Sequence, residues 1–101
     1  MNPQMVKKIQ KMQREMEQAQ RDLEEMVFEG TASGVVTVEV KGSKEVLRVK
    51  INKDSIDSLD DLDMIEDIIV AAINDAMRKI DAKTQEVMGR FTAGLPGGFG
   101  F

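Results

Sequence analysis

Apolar residues recur along the first quarter of the chain with gaps of 4, 3, 4, 3, 4 and 3, at Met5, Ile9, Met12, Met16, Ala19, Leu23 and Met26. That is a heptad seam, two apolar positions in every seven, and it predicts a long helix that meets another helix. A helix lying on a sheet would carry a wider stripe. Asn2 and Pro3 suit an N-cap and a first helical position, and no Gly or Pro interrupts the run from Gln4 to Met26.

The period then changes to two. Val36, Val38 and Val40 alternate with Thr37, Glu39 and Lys41, and Leu47, Val49 and Ile51 alternate with Arg48, Lys50 and Asn52. Each set predicts a half-buried strand. "KGSKE" (41–45) reads as a hairpin connection in which Gly42 is available for a positive φ. Val27–Phe28–Glu29 reads as the start of a further strand, and "GTASG" (30–34) as the turn after it. The second helix begins near a cap at Ser58 or Asp60. Leu62, Ile65, Ile69, Ala72, Ile73, Ala76 and Ile80 give it a broad apolar face, widened by Ile68 and Met77, and Gly89 reads as its C-cap.

The order helix, three strands, helix is an α+β protomer in which the second helix covers a three-stranded antiparallel sheet. The first helix then lacks a partner, and a second copy related by two-fold symmetry is the simplest source. The expected dimer interface is Ile9, Met12, Met16, Ala19, Leu23 and Met26. Residues 1–90 are expected to form one domain. The uncharged "FTAGLPGGFGF" (91–101) is expected to form a flexible tail, with docking in a groove as its alternative.

Composition narrows the chemistry. The 101 residues contain no Cys, no His, no Trp and no Tyr, while eight Met supply much of the core-capable volume. Disulfides, thiol nucleophiles, imidazole bases and thiolate or imidazole metal sites are therefore excluded. "GTASG" lacks the Lys and the following helix of a phosphate loop. The acids of "DSIDSLDDLDMIED" lack a calcium-loop pattern and sit where a helix N-terminus attracts them. The expectation is a non-enzyme with no cofactor, no metal and no small-molecule substrate. The longest apolar run, "IIVAAI" (68–73), is too short to span a bilayer, and a cytoplasmic location is expected.

The formal net charge of −4 is unevenly spread. Residues 1–14 carry Lys7, Lys8, Lys11 and Arg14 and no acid, whereas 54–88 hold ten acids against Arg78, Lys79 and Lys83. Lys7, Lys11 and Arg14 are expected along one side of the first helix, beside the seam, and the strand face adds Lys41, Arg48 and Lys50. A dimer would repeat this patch, which favours contact with duplex phosphates. The alternative is an adaptor whose methionine-rich seam docks replication or recombination proteins without touching DNA.

Beyond these patterns, "QKMQREMEQAQ" (10–20), "EGTASGVVTVEVKG" (29–42), "VLRVKI" (46–51), "DLDMIEDIIVAAINDAMRKI" (61–80) and "MGRFTAGLPGGFGF" (88–101) resemble, in this order, the YbaB/EbfC family of bacterial nucleoid-associated proteins. The resemblance implies a tight, tweezer-like homodimer with projecting helices, broad binding of double-stranded DNA and a place in the nucleoid. Carried onto this chain, it implies DNA contact by Lys7, Lys8, Lys11, Arg14 and Arg21. The resemblance implies an often Pro-rich C-terminal end, where this sequence carries the Gly-rich "FTAGLPGGFGF" (91–101).

Overall fold

The computed structural model describes residues 2–92. Helix α1 (Pro3–Glu25) is followed by strands β1 (Val27–Ala32), β2 (Val36–Lys41) and β3 (Val46–Ile51), two short 3-10 turns (Lys53–Ser55 and Leu59–Asp61), and helix α2 (Leu62–Thr92). The sheet is antiparallel in the order β1-β2-β3. This is the α+β arrangement expected from the sequence. The tail expected at 91–101 lies, from residue 93 onward, outside the described residues.

Helix α1 starts as its sequence dictates, whereas the expected cap at Ser58 closes the 3-10 turn Leu59–Asp61 that leads into α2. The Asn2 side chain accepts a hydrogen bond from the Gln4 N–H at 2.9 Å. Ser58 accepts from the Asp60 N–H at 3.2 Å, while the Asp61 carboxylate accepts from the N–H groups of Asp57 and Ser58 at 2.8 and 3.3 Å. Carboxylates at this end thus cap free backbone donors and meet the positive end of the helix dipole.

One face of β2 is fully covered: Val36, Val38 and Val40 are buried together with Ala72, Ala76 and Ile80 of α2. In the β1–β2 register Gly30 stands opposite Val38, with Phe28 and Ala32 opposite Val40 and Val36. Small residues bring the helix down onto this strand. A Cβ on Gly30 would overlap the Ala72 carbonyl oxygen and crowd the Ala76 nitrogen and Cβ. Two polar ties fix the same contact, as Asp75 accepts from the Thr31 N–H at 3.0 Å and Lys79 donates to the Glu29 carbonyl at 2.8 Å.

Several local expectations are corrected. The first strand runs through Ala32, so the turn is only Ser33–Gly34–Val35, with Ser33 and Gly34 at φ 56° and 66°. In the β2–β3 connection the positive φ falls on Lys44 (74°), not Gly42. Gly42 serves close approach instead, since a Cβ there would overlap the Leu23 carbonyl oxygen. Gly89 lies inside α2, which continues to Thr92.

The largest correction concerns β3. Its Val46, Leu47 and Val49 are 42%, 47% and 41% exposed. α2 packs over β1 and β2 and leaves β3 uncovered. The pairing shifts register between Glu39 and Val40, so that Glu39 faces Arg48 and Val40 faces Val46, leaving Leu47 as an extra residue. Val46 therefore joins Val49 and Ile51 on the same face as the β2 valines.

Candidate nucleic-acid interface

α1 is joined to β1 through the single residue Met26 and is held by its C-terminal end. The Gly42 N–H donates to the Met26 carbonyl at 2.8 Å, and the Ser43 N–H to the Glu24 carbonyl at 3.2 Å. Lys41 pairs with Glu25 at 3.2 Å. Leu23 is buried within the subunit, 6% exposed. From there α1 runs outward beside the C-terminal half of α2. The two helices flank an open groove of about 920 Å³, lined by Met16, Gln20 and Leu23 on one side and Ile80, Thr84 and Met88 on the other.

Over the described residues the arm outlasts its neighbour. At 1.5 Å per residue, α1 extends about 30 Å from Leu23 back to Pro3, while α2 extends about 18 Å from Ile80 to Thr92. Its seam accordingly divides into two parts. Leu23 is buried, Met12, Met16 and Ala19 are half-buried, and Met5 and Ile9 stand 55% and 44% exposed. Met26 is the C-cap residue and is 43% exposed.

At about 100° per residue, Lys7, Lys11, Arg14 and Arg21 fall on the back of α1, away from Leu23, rather than beside the seam; Lys8 sits on a flank. All five are exposed. Among the described residues Lys7, Lys8 and Arg14 make no ion pair, and Lys11 has only a loose approach to Glu15 at 3.9 Å. Arg21 differs: it donates to Gln18 at 2.9 Å, and Gln18 donates to Asp22 at 2.8 Å. The free positive charge is thus concentrated on the outer half of the arm.

The sheet's outer face is less basic than its sequence suggests. Lys41 is tied to Glu25, Glu39 stands between Glu29 and Arg48 in the strand register, and Lys50 stands opposite Thr37. Among the described residues no group of three or more His, Cys, Asp or Glu is placed to hold a metal ion, and no helix is long and apolar enough to cross a membrane. Asp75 is the titratable group whose environment clearly perturbs it. The Thr31 N–H, then Lys79 and Arg78, hold its carboxyl below the ordinary 3.8. This serves the α2–β1 joint, far in role from any reactive site.

The profile of the YbaB/EbfC DNA-binding family matches residues 1–95. The chain belongs to that family. Similar proteins include a nucleoid-associated protein of Oceanobacillus iheyensis, 50% identical over 98 residues and covering 94% of this chain and 93% of its own. One from an Exiguobacterium species is 52% identical over 86 residues, covering 82% and 81%. Another from Ligilactobacillus salivarius is 42% identical over 94 residues, covering 92% and 89%. An uncharacterized protein from Helicobacter pylori shares the fold, with a TM-score of 0.70 over 89% of this chain and 96% of that one at 17% identity.

The basic run was legible in the sequence, and so were the seam positions, but not which of them the subunit covers itself. Sequence reasoning missed Val46 as an exposed apolar residue. The signal for it was the adjacent apolar pair Val46–Leu47, of which only one can keep the alternation with Val49 and Ile51.

Proposed function

We propose that this protein is a nucleoid-associated, non-enzymatic DNA-binding protein that grips duplex phosphates as a homodimer with little sequence preference. The observation that carries the reading is the outer half of α1: a projecting, acid-free arm whose Lys7, Lys8, Lys11 and Arg14 are exposed. Such contacts position a protein on the duplex without reading base edges. The names of the similar proteins, nucleoid-associated in several bacteria, point the same way.

Two copies meet, in this reading, through β3. Its outer edge has unpaired backbone groups, and its Val46, Leu47 and Val49 lie bare beside α2, a combination that calls for another strand. A second β3 related by two-fold symmetry supplies one. The subunit's shape agrees: it measures 70 × 24 × 15 Å with a radius of gyration of 19.6 Å, against about 13 Å for a compact chain of this length. Such a dimer leaves both arms free.

The test is retardation of a short duplex on a gel with Lys7, Lys8 and Lys11 each changed to Glu. Loss of the shifted band with an intact dimer is the expected result. Unchanged retardation removes the arm from the interface.

A further inference from the structure

The dimer proposed above leaves an apolar stripe of α1 unused. On the outer half of α1, Met5 and Ile9 are more than two-fifths exposed, and Met12 and Met16 are half-buried. All four lie on the side of the helix opposite Lys7 and Arg14.

We infer that this stripe is a second self-association surface, on which α1 of one dimer pairs antiparallel with α1 of another, so that two duplexes are bridged. Part of the argument is spacing, because a strict 4-3 seam two residues wide suits a single facing helix of its own kind. Two-fold pairing that sets Ile9 against Met12 also sets Met5 against Met16. Met5 then enters the open groove that Met16, Ile80 and Met88 line.

Charge selects the same geometry. In that register Lys8 of each helix comes beside Glu15 of the other, giving two opposite-charge pairs that flank the apolar layers. The remaining flank brings Val6 and Gln13 together, with no like charges in contact. A parallel pairing would instead set Lys8 beside Gln13 and Glu15 beside Gln20, with no complementary pair. Flanking charges of this kind set the orientation of helix pairs. Glu15 is available for the exchange, since its approach to Lys11 is a 3.9 Å contact between exposed side chains.

The functional consequence follows from the helix wheel. With the stripe turned inward, Lys7, Lys11 and Arg14 of the paired arms point away from each other. Each dimer then presents its phosphate-binding surface to a separate duplex. The partner is a second copy of this chain, and the added activity is DNA bridging.

The inference rests on the DNA-binding reading for its consequence, but the pairing is tested separately. Sedimentation of the DNA-free protein at tens of micromolar should show reversible association of the dimer into tetramers and larger species, since each dimer carries the stripe twice. Ile9→Glu should stop at the dimer, as should Glu15→Lys, and the double exchange Lys8→Glu with Glu15→Lys should restore the higher association. With DNA, wild-type protein on a bead-bound duplex should retain a second, labelled duplex; Ile9→Glu should bind the first and retain at least tenfold less of the second. A wild-type dimer that Ile9→Glu leaves unchanged overturns the pairing while leaving the β3 dimer standing. A wild-type dimer that Ile9→Glu converts to monomer keeps the pairing and overturns β3 as the dimer contact. Failure of the charge exchange to rescue overturns the antiparallel register.

Discussion

Gly30 and Ala72 touch backbone to backbone: there is no room for a Cβ on the strand residue beside the helix carbonyl. This contact lets α2 sit low on β1, where Asp75 and Lys79 reach the strand's Thr31 N–H and Glu29 carbonyl. Gly30→Ala should therefore push the helix off the sheet and cost about 1–3 kcal/mol, as overpacking of a tight core does. Gly89 provides the contrast, since it lies inside α2 and a methyl group on its Cα would meet nothing within 4 Å. Gly89→Ala should stabilise by about 0.5–1 kcal/mol. Urea unfolding midpoints of the two variants, measured at equal protein concentration, should move in opposite directions.

Asp75 makes the same joint sensitive to acid. Its carboxylate accepts from the Thr31 N–H and lies 3.2 Å from Lys79 and 3.8 Å from Arg78, which lowers its pKa below 3.8 in the folded protein. A lowered folded value means that the unfolded chain binds the proton more readily. The contribution is fully present above the ordinary carboxylate value and is lost as pH falls through the folded one. Asp75→Asn should lower stability at pH 7, and the gap from wild type should narrow below about pH 4. Thermal unfolding at pH 7 and pH 3 checks this; a gap that stays constant across that range would rule the linkage out.

These joints show what the sequence made legible and what it hid. The Val36–Val38–Val40 alternation announces a covered strand, and the structure buries all three. The pattern at 46–51 looks alike, yet α2 is one helix wide and covers two strands. Alternation tells which side chains share a face, not whether another layer lies on it. Gly42 was legible as a special position but not as a contact, because Leu23 reaches it from 19 residues earlier in the chain. The seam on α1 had the same ambiguity. Its period identified a helix-facing stripe, while the lengths of α1 and α2 decide that Leu23 is satisfied inside the subunit and Ile9 is not.

The exposed β3 face predicts a separation of assembly from folding. Val49 is 41% exposed and touches an open edge, so Val49→Glu adds a charge where the lone subunit already meets water. It should dissociate the dimer while far-ultraviolet circular dichroism stays that of the wild type. Sedimentation at micromolar concentration reads the change. A dimer that survives this substitution places the interface elsewhere.

The arm residues predict a graded salt dependence. In a dimer, Lys7, Lys8, Lys11 and Arg14 offer about eight phosphate contacts, for which log K should fall against log salt with a slope near −7. Arg14→Ala removes a contact from each arm and should reduce the magnitude of the slope by about 2. Arg21→Ala should change it little, because that guanidinium is already engaged with Gln18, itself hydrogen-bonded to Asp22. Titrations of a fluorescent duplex between low and physiological salt supply both slopes. Equal slopes for wild type and Arg14→Ala would mean that the back of α1 does not face the duplex, whereas a large loss with Arg21→Ala would mean that the Gln18 contact is given up on binding.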